Sequence, residues 1–171
     1  DAFNVFPKLG VISPEKRCGK STLLDILGAF SCKSLISSNI TPSAIFRAVD
    51  LWQPTLIIDE ADTFLAGRND DLIGIINSGH TKRTASVIRT VGEDYTPKKF
   101  STWAPMAFAS IKGLSGTVMD RSIVIQLRRR TIAETVARIP VDFWEDSKVI
   151  RQKMVRWGVD NFNDLKANHI E

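Results

Sequence analysis

The chain has 171 residues, of which 43% are hydrophobic and 25% charged, the balance of an ordinary globular protein with one sizeable core. No apolar run approaches the length of a transmembrane helix and no signal-peptide pattern is present, so we expect no membrane partner. The formal net charge of +4 permits an anionic partner without requiring one.

The first residue and the cysteines give two further expectations. Because the chain begins with Asp1 rather than Met, we expect a fragment of a longer protein. Cys18 and Cys32 follow no metal-ligand spacing, and a reducing compartment is the simplest setting for two such thiols. We therefore predict a cytoplasmic location.

The first predicted elements are a strand over residues 9–12 and a helix over residues 21–30, joined by the segment SPEKRCGKST. A strand, a loop ending in Gly-Lys-Ser and a helix form the setting of a phosphate-binding loop, or P-loop. Backbone N–H groups and the helix N-terminus face the phosphates in such a loop. We predict that the nucleotide-binding residues are Pro14, Glu15, Lys16, Arg17, Cys18, Gly19, Lys20, Ser21 and Thr22.

Two residues of this loop have defined chemical roles. We expect Lys20 to reach the β- and γ-phosphates and the Ser21 hydroxyl to ligate Mg²⁺. The segment departs from the usual pattern at its first position, where Pro14 stands in place of glycine. Proline fixes φ and removes a backbone donor, so this motif alone leaves the assignment open.

A second motif follows the apolar run 55–58, which has the pattern of a buried parallel strand. Asp59 and Glu60 come directly after it, and ligands of open α/β sheets bind at the carboxyl ends of strands. We predict that Asp59 holds Mg²⁺ and that Glu60 polarises the attacking water. The alternative is a solvated turn after a core strand.

The rest of the chain alternates between strand and helix patterns, with one hairpin pattern between residues 85 and 103. The remaining predicted elements, in chain order, are a strand over 33–37, a helix over 44–49 capped by Thr41 or Ser43, a helix over 70–78 ended by Gly79, hairpin strands over 85–91 and 100–103 around a polar tip, a strand over 105–111, a loop or short helix over 113–120, a strand over 123–127 and, from Thr131, helices interrupted by Pro140 and Gly158.

This alternation predicts an α/β fold with a five-stranded, mainly parallel core sheet flanked by helices. Together with the two motifs, the fold resembles the ASCE-type P-loop NTPases. We expect an ATPase core over residues 1–130, with the hairpin inserted at about 85–104. A small helical C-terminal appendage is expected over residues 131–171. The predicted chemistry is Mg²⁺-dependent hydrolysis of ATP.

Two features resemble the superfamily 3 helicases of small viruses and mobile elements. Asp59 follows Lys20 by 39 positions, a compact spacing, and a lysine-bearing hairpin precedes the next core strand. In those helicases a hairpin lines the pore of a ring and grips single-stranded DNA, so the resemblance implies a ring-forming motor in DNA replication. Solvated lysines on an exposed hairpin are the alternative. The implied nucleic-acid contacts are Lys82, Arg83, Lys98 and Lys99, with Tyr95 nearby for stacking.

Four segments before residue 130, namely residues 13–21, 58–62, 76–80 and 120–123, together show a closer resemblance. They resemble a family of P-loop ATPase domains, without an agreed activity, in phage, plasmid and primase-associated proteins. In that family proline at the first loop position is usual, which accommodates Pro14. The resemblance implies an ATPase more firmly than a helicase, encoded by a phage or mobile element of a bacterial host.

The likeness to AAA+-like rings implies two further site residues. Arg121, just before the last core strand, would enter a neighbouring subunit's site as an arginine finger, which implies a homo-oligomeric ring. A local ion pair with Asp120 is the alternative. Ser110 ends the fourth core strand, where such rings carry a polar sensor of the γ-phosphate. The arginines at 128–130 are left open between nucleotide, neighbour, nucleic acid and solvent.

Other nucleotide-dependent classes fit less well. Residues 59–62 spell the DEAD-box motif, but that helicase group needs two tandem domains and this chain has room for one. No guanine-reading motif of the GTPases is present, and adjacent acids favour water activation over a small-molecule kinase. Two rivals to a motor stay open: a nucleotide-dependent protein switch without nucleic-acid activity, and a scaffold that binds nucleotide without hydrolysis.

Overall fold

The computed structural model describes residues 2–62, 70–111 and 113–167, which form a mixed α/β fold around a five-stranded parallel sheet. Parts of the predicted core, residues 63–69 and 112, and the last four positions of the predicted tail lie outside the described residues. The strands are β1 (Lys8–Ser13), β2 (Ser34–Ser37), β3 (Thr55–Ile58), β4 (Ser86–Val91), β5 (Thr96–Ser101), β6 (Met106–Ile111) and β7 (Ser122–Gln126).

The helices agree with the sequence pattern up to β7. Thr41, rather than Ser43, caps the second helix, since its hydroxyl accepts a hydrogen bond from the Ala44 N–H at 3.3 Å. No helix within the described ranges combines the length and apolar character needed to cross a membrane. The helices are α1 (Lys20–Phe30), α2 (Pro42–Trp52), α3 (Asp70–Ser78), α4 (Gly116–Met119), α5 (Phe143–Asp160) and α6 (Phe162–Ala167), with a 3₁₀ turn at Lys82–Thr84.

The five-stranded sheet has the order β2-β3-β6-β1-β7, and every neighbouring pair is parallel. The register places Ile12 beside both Ser110 of β6 and Gln126 of β7. All five strands therefore end at one edge of the sheet, which we call the carboxyl edge. The opposite edge, where Lys8 begins β1 beside Ser122, is the amino edge.

Apolar layers cover both faces of this sheet because successive residues of each buried strand point to opposite sides. In β3, Ile57 packs in the layer that contains Leu24 of α1, while Leu56 packs in the layer of α2 and α3. The second layer is the larger and includes Phe46 and Phe108. Helices on both faces of a parallel sheet are the usual consequence of such strands.

The hairpin is a separate two-stranded antiparallel sheet between β3 and β6, as predicted, but its second strand begins earlier than expected. β5 starts at Thr96 rather than Phe100, and Lys98 and Lys99 pair with Arg89 and Ile88. The polar residues were predicted as the tip because they lack apolar alternation. Backbone pairing continues through them, since an exposed strand needs no apolar face.

The predicted helical tail is wrong at its beginning. Residues 127–142 form no helix, since Pro140 interrupts the backbone and a turn closes at residues 131–134. α5 begins at Phe143 and runs through Gly158, because a single glycine costs a long helix only about 1 kcal/mol. Its first turn packs on α1, where the Trp144 Nε1–H donates to the Asp25 carboxylate at 2.9 Å.

Candidate functional site

The β1–α1 loop, residues 14–19, ends at a helix N-terminus that no side chain caps. Gly19 precedes α1 with φ of +85°, a left-handed conformation that glycine adopts without strain. The first turn of α1 contains no acidic residue, and the Ser21 and Thr22 side chains in it are exposed. Because the first N–H groups of a helix have no partners within it, this terminus favours an anion.

The Lys20 side chain folds back over this loop. Its ammonium group donates to the Ser13 hydroxyl at 2.7 Å, and that hydroxyl donates to the Glu15 carbonyl at 2.6 Å. Ser13 is the last residue of β1 and is buried, so it holds the lysine close to the strand end. The other predicted members of the site have exposed or half-buried side chains along the loop: Pro14, Lys16 and Arg17 are exposed and Cys18 is half-buried.

The acids after β3 lie at the same carboxyl edge. The Asp59 N–H donates to the Ser37 carbonyl at 3.0 Å, and the Asp59 carboxylate accepts the Glu60 N–H at 2.8 Å. Glu60 has a left-handed φ of 52°, which a glutamate adopts at a cost in backbone strain. The Ala61 N–H then donates to the Ala109 carbonyl at 2.8 Å, which fixes this turn to β6.

Only β6 separates the two predicted motifs. β1 and β3 are both hydrogen-bonded to it, so the two strands run two strand spacings, or about 10 Å, apart. Their ends are also staggered, since Ser13 lies beside Ile111 of β6 and Ile58 lies beside Phe108. Lys20, held at the end of β1, and Asp59, directly after β3, therefore both lie at the carboxyl edge. A polyphosphate with its attacking water has the dimensions to bridge such a gap.

Ser110, the predicted sensor, is at this edge but is buried. Its hydroxyl donates to the Gly113 carbonyl at 2.7 Å, across the turn that follows β6. Beside it, the Ile111 N–H donates to the Asp62 carboxylate at 3.2 Å. The hydroxyl of Ser110 thus has a structural partner, and it could donate to a γ-phosphate only if this bond opened.

A cleft of about 820 Å³ lies between the β1–α1 loop and the segment after β7. Its walls carry Arg17 and Gly19 on one side and residues 126–132, with Glu134 and Val136, on the other. Arg128 binds both carboxylate oxygens of Glu134. That pairing, and next the Thr131 N–H, lower the pKa of Glu134 to about 2, so this carboxylate is charged at neutral pH.

The predicted Mg²⁺ ligands have suitable chemistry. Ser21 offers an exposed hydroxyl at the start of α1, and Asp59 offers a half-buried carboxylate. Mg²⁺ prefers hard oxygen ligands and keeps waters and substrate phosphates in its shell, so one hydroxyl and one carboxylate are a fitting protein share. Within the described ranges no cluster of three or more histidine, cysteine or acidic side chains forms a complete metal cage.

Arg121, the predicted arginine finger, lies at the amino edge. Its guanidinium donates to the Asn77 carbonyl at 3.2 Å, and its own carbonyl accepts the Lys8 N–H at 2.9 Å. The length of β1, roughly 17 Å, separates this position from Ser13 at the carboxyl edge. Arg121 therefore cannot serve the loop of its own chain, and a catalytic role requires a neighbouring copy.

Lys8 and His80 are two further titratable residues near Arg121. The Lys8 side chain is only 1% exposed, and its ammonium donates to the Gly79 carbonyl at 2.8 Å. Burial, and next the charge of Arg121, lower the pKa of Lys8 from 10.5 to about 8. The same two causes, in the same order, lower the pKa of His80.

The residues predicted to contact nucleic acid lie on different surfaces of the hairpin and of the turn before it. Lys98 lies 5.0 Å from the Phe100 ring centroid, while Lys99, the next residue of the strand, points to the other face. Lys82 and Arg83 have exposed side chains in the 3₁₀ turn before β4. The tip itself, residues 92–95, carries the acids Glu93 and Asp94 beside the exposed Tyr95.

Three residues of interest were not in the predicted site. Ser13 was taken only as the start of the loop, although a serine that ends an apolar strand is a usable signal. Lys8 sits before the apolar run and gave no sign of its burial. The pairing of Arg129 with Glu15, at 3.5 Å, joins positions far apart in the sequence.

The chain was also compared with known proteins. No protein-family model matches it, and no curated protein matches it at a significant level.

Proposed function

We propose that the chain binds a nucleoside triphosphate, ATP by the sequence prediction, at the β1–α1 loop and hydrolyses it at the carboxyl edge. The observation that carries this proposal is the uncapped start of α1, with Gly19 left-handed before it and the Lys20 ammonium folded over the loop. Backbone N–H groups and a lysine so arranged bind phosphate oxygens by charge-assisted hydrogen bonds.

Hydrolysis needs a water in line with the γ-phosphate and a group that orients it. Glu60, in the strained turn after β3, is the side chain that we assign to hold this water and take its proton. Lys20 stabilises the charge that develops on the transferred group. Ser21 and Asp59 would hold Mg²⁺, which when bound neutralises charge on the phosphate oxygens.

The strand order supports the ASCE-type class as part of the proposal. One additional strand, β6, lies between the strand of the predicted P-loop and the strand that delivers Asp59 and Glu60. This arrangement gives the attacking water room between the two motifs. A cytoplasmic location is part of the same proposal and stays a prediction.

The ring-forming DNA motor is the wider form of the proposal. The place of Arg121 at the amino edge suits a ring, because the finger of one copy would complete the site of the next. The hairpin supports a DNA grip less well, since Glu93 and Asp94 at its tip repel phosphates. That acidic tip favours the second candidate, a nucleotide-dependent switch that acts on a protein partner.

Phosphate release separates these functions. The purified protein is expected to release phosphate from ATP in the presence of Mg²⁺, and the Lys20→Ala variant is expected to lose this activity. Stimulation by single-stranded DNA would support the motor, whereas indifference to DNA would support the switch. A protein that neither binds nor hydrolyses ATP would overturn the proposal.

A further inference from the structure

The strap, residues 127–136, follows β7 and lies beside the β1–α1 loop. The Leu127 N–H donates to the Ile12 carbonyl at 2.8 Å, which continues the pairing of β7 with β1 by one residue. The strap therefore leaves the sheet at the carboxyl edge, next to the end of β1. Its three arginines, left open by the sequence, begin at that point.

Two neighbouring arginines of the strap differ in how firmly they are held. Arg128 binds both oxygens of Glu134, and this carboxylate also accepts the Thr131 N–H at 2.7 Å. These bonds close the first half of the strap into a turn. Arg129 makes a single 3.5 Å contact with the Glu15 carboxylate, and the two side chains are 54% and 51% exposed. A long contact between exposed charges holds an arginine weakly.

The partner of Arg129 is itself unusual. Glu15 is the one acid between Pro14 and Thr22, and a negative charge inside a phosphate-binding loop opposes an anionic ligand. The Glu15 carbonyl accepts the Ser13 hydroxyl, which in turn accepts the Lys20 ammonium. The Arg129 guanidinium thus contacts a residue that is two hydrogen bonds from the predicted phosphate-binding lysine.

The charged residues that line the cleft also favour an anionic ligand. Its lining includes Arg17, Arg129 and Arg130, whereas the acid in its wall, Glu134, is already neutralised by Arg128. An excess of arginine beside the start of α1 suits a ligand with several negative oxygens. A planar guanidinium also binds phosphate through two parallel hydrogen bonds, which a carboxylate at 3.5 Å does not offer it here.

We propose that Arg129 is a phosphate-binding residue of this site: Glu15 holds it in the free protein, and it exchanges to the phosphates of the bound nucleotide. This inference rests on the proposed function. Glu15 is then the resting partner of the arginine, and the turn closed by Arg128 and Glu134 positions the strap so that Arg129 reaches the loop.

A double-mutant cycle on ATP binding tests the exchange. Arg129→Ala is expected to weaken ATP binding about tenfold by removing a charge-assisted contact. Glu15→Gln is expected to strengthen binding severalfold, and adding Arg129→Ala to it should again weaken binding about tenfold. If Arg129 only neutralised Glu15, its removal would have no effect once Glu15 is glutamine, and that result would overturn the proposal.

Simpler ligands identify the contacted group. The loss on Arg129→Ala is expected to persist for inorganic tripolyphosphate and to vanish for adenosine; the reverse pattern would overturn the phosphate assignment. Arg156→Ala, which also breaks one surface ion pair but lies on α5, is the matched control and should leave affinity unchanged.

The proposed function has its own control in the same measurements. If Lys20→Ala binds ATP as tightly as wild type, the nucleotide site itself is refuted. If Lys20→Ala weakens binding while the Arg129 variants do not, the nucleotide site stands and the role of Arg129 is refuted.

Discussion

The two edges of the parallel sheet collect polar residues in opposite ways. At the carboxyl edge, charged side chains such as Arg17 and Glu60 are exposed and belong to loop residues with left-handed backbone. At the amino edge the Lys8 side chain is buried and bonded to the Gly79 carbonyl, and the Lys8 N–H donates to the Arg121 carbonyl. Exposed charged side chains on strained loops are typical of a ligand-binding site. Buried charged side chains with hydrogen-bond partners are typical of structural contacts.

This difference teaches where the predicted residues can act. Lys20, Ser21, Asp59 and Glu60 share one edge and can contact one ligand. Arg121 is separated from them by the length of β1, so only a second copy can bring it to that ligand. The two edges are separate in one chain, and the proposed arginine finger would join them only in an assembly.

Arg121→Ala gives the largest expected effect and tests whether the amino edge joins the site of a neighbour. We expect nucleotide binding to persist and turnover of the assembled protein to fall on the order of 10³-fold or more. Steady-state phosphate release, with assembly confirmed by light scattering, measures this.

Mixing variants sharpens the same point. When the separately purified Arg121→Ala and Lys20→Ala proteins are mixed, part of the turnover should return. At one type of interface, Lys20 of the first variant meets Arg121 of the second. An assembled mixture without any rescue would assign Arg121 to its local bond with the Asn77 carbonyl.

Glu60→Gln separates binding from chemistry at the carboxyl edge. The amide keeps the shape of the side chain but cannot take a proton from water, so we expect unchanged ATP affinity and turnover lower by about 10²–10⁴-fold. Single-turnover hydrolysis checks this. Turnover at the wild-type rate would show that another group activates the water.

The pH dependence of stability tests the structural character of the amino edge. The pKa of Lys8 is lowered from 10.5 to about 8, so between these values the unfolded chain binds a proton that the folded chain does not. The free energy of unfolding should therefore rise with pH across this window, by at most about 3 kcal/mol from this group. Below it the penalty of the buried charge is fully present.

Urea denaturation between about pH 8 and 10.5 measures this rise. In Lys8→Met the free energy of unfolding should rise less with pH, although the Gly79 carbonyl loses its partner. In Lys153→Met, which replaces an exposed lysine, the rise should match that of wild type. Equal pH dependence in wild type and Lys8→Met would show that folding does not lower the pKa of Lys8.

The hairpin gives the smallest expected effect. Because Lys98 and Lys99 point to opposite faces, we expect one of them at most to contact a given DNA strand. Replacing both with alanine should then lower the log–log salt slope of single-stranded DNA binding by about 0.7 rather than about 1.4. The single variants show which lysine contributes. An unchanged slope would remove both lysines from any nucleic-acid interface.

The sequence predicted the parts of the fold that local pattern decides. The apolar run ending in Asp59 and the loop ending in Lys20 lie on parallel strands, so their meeting at one edge follows from strand direction alone. The hairpin was also predicted, but β5 begins at Thr96, because backbone pairing continued through polar residues that carry no apolar signal.

What the sequence could not predict depends on side chains that meet across the fold. The burial of Lys8 depends on the Gly79 carbonyl, 71 positions away. The strap was predicted to begin a helix at Thr131, but the pairing of Arg128 with Glu134 folds it into a turn. Contacts of this kind have no period and no motif, so composition and spacing cannot reveal them.

Calorimetric titration of ATP into wild type and Lys20→Ala tests the central claim most directly. The loss of the ammonium group at the end of β1 should weaken binding on the order of 1.5–3 kcal/mol. Lys153→Ala, a lysine exposed on α5, should bind like wild type. The same affinity in Lys20→Ala and wild type would contradict a nucleotide site at the β1–α1 loop.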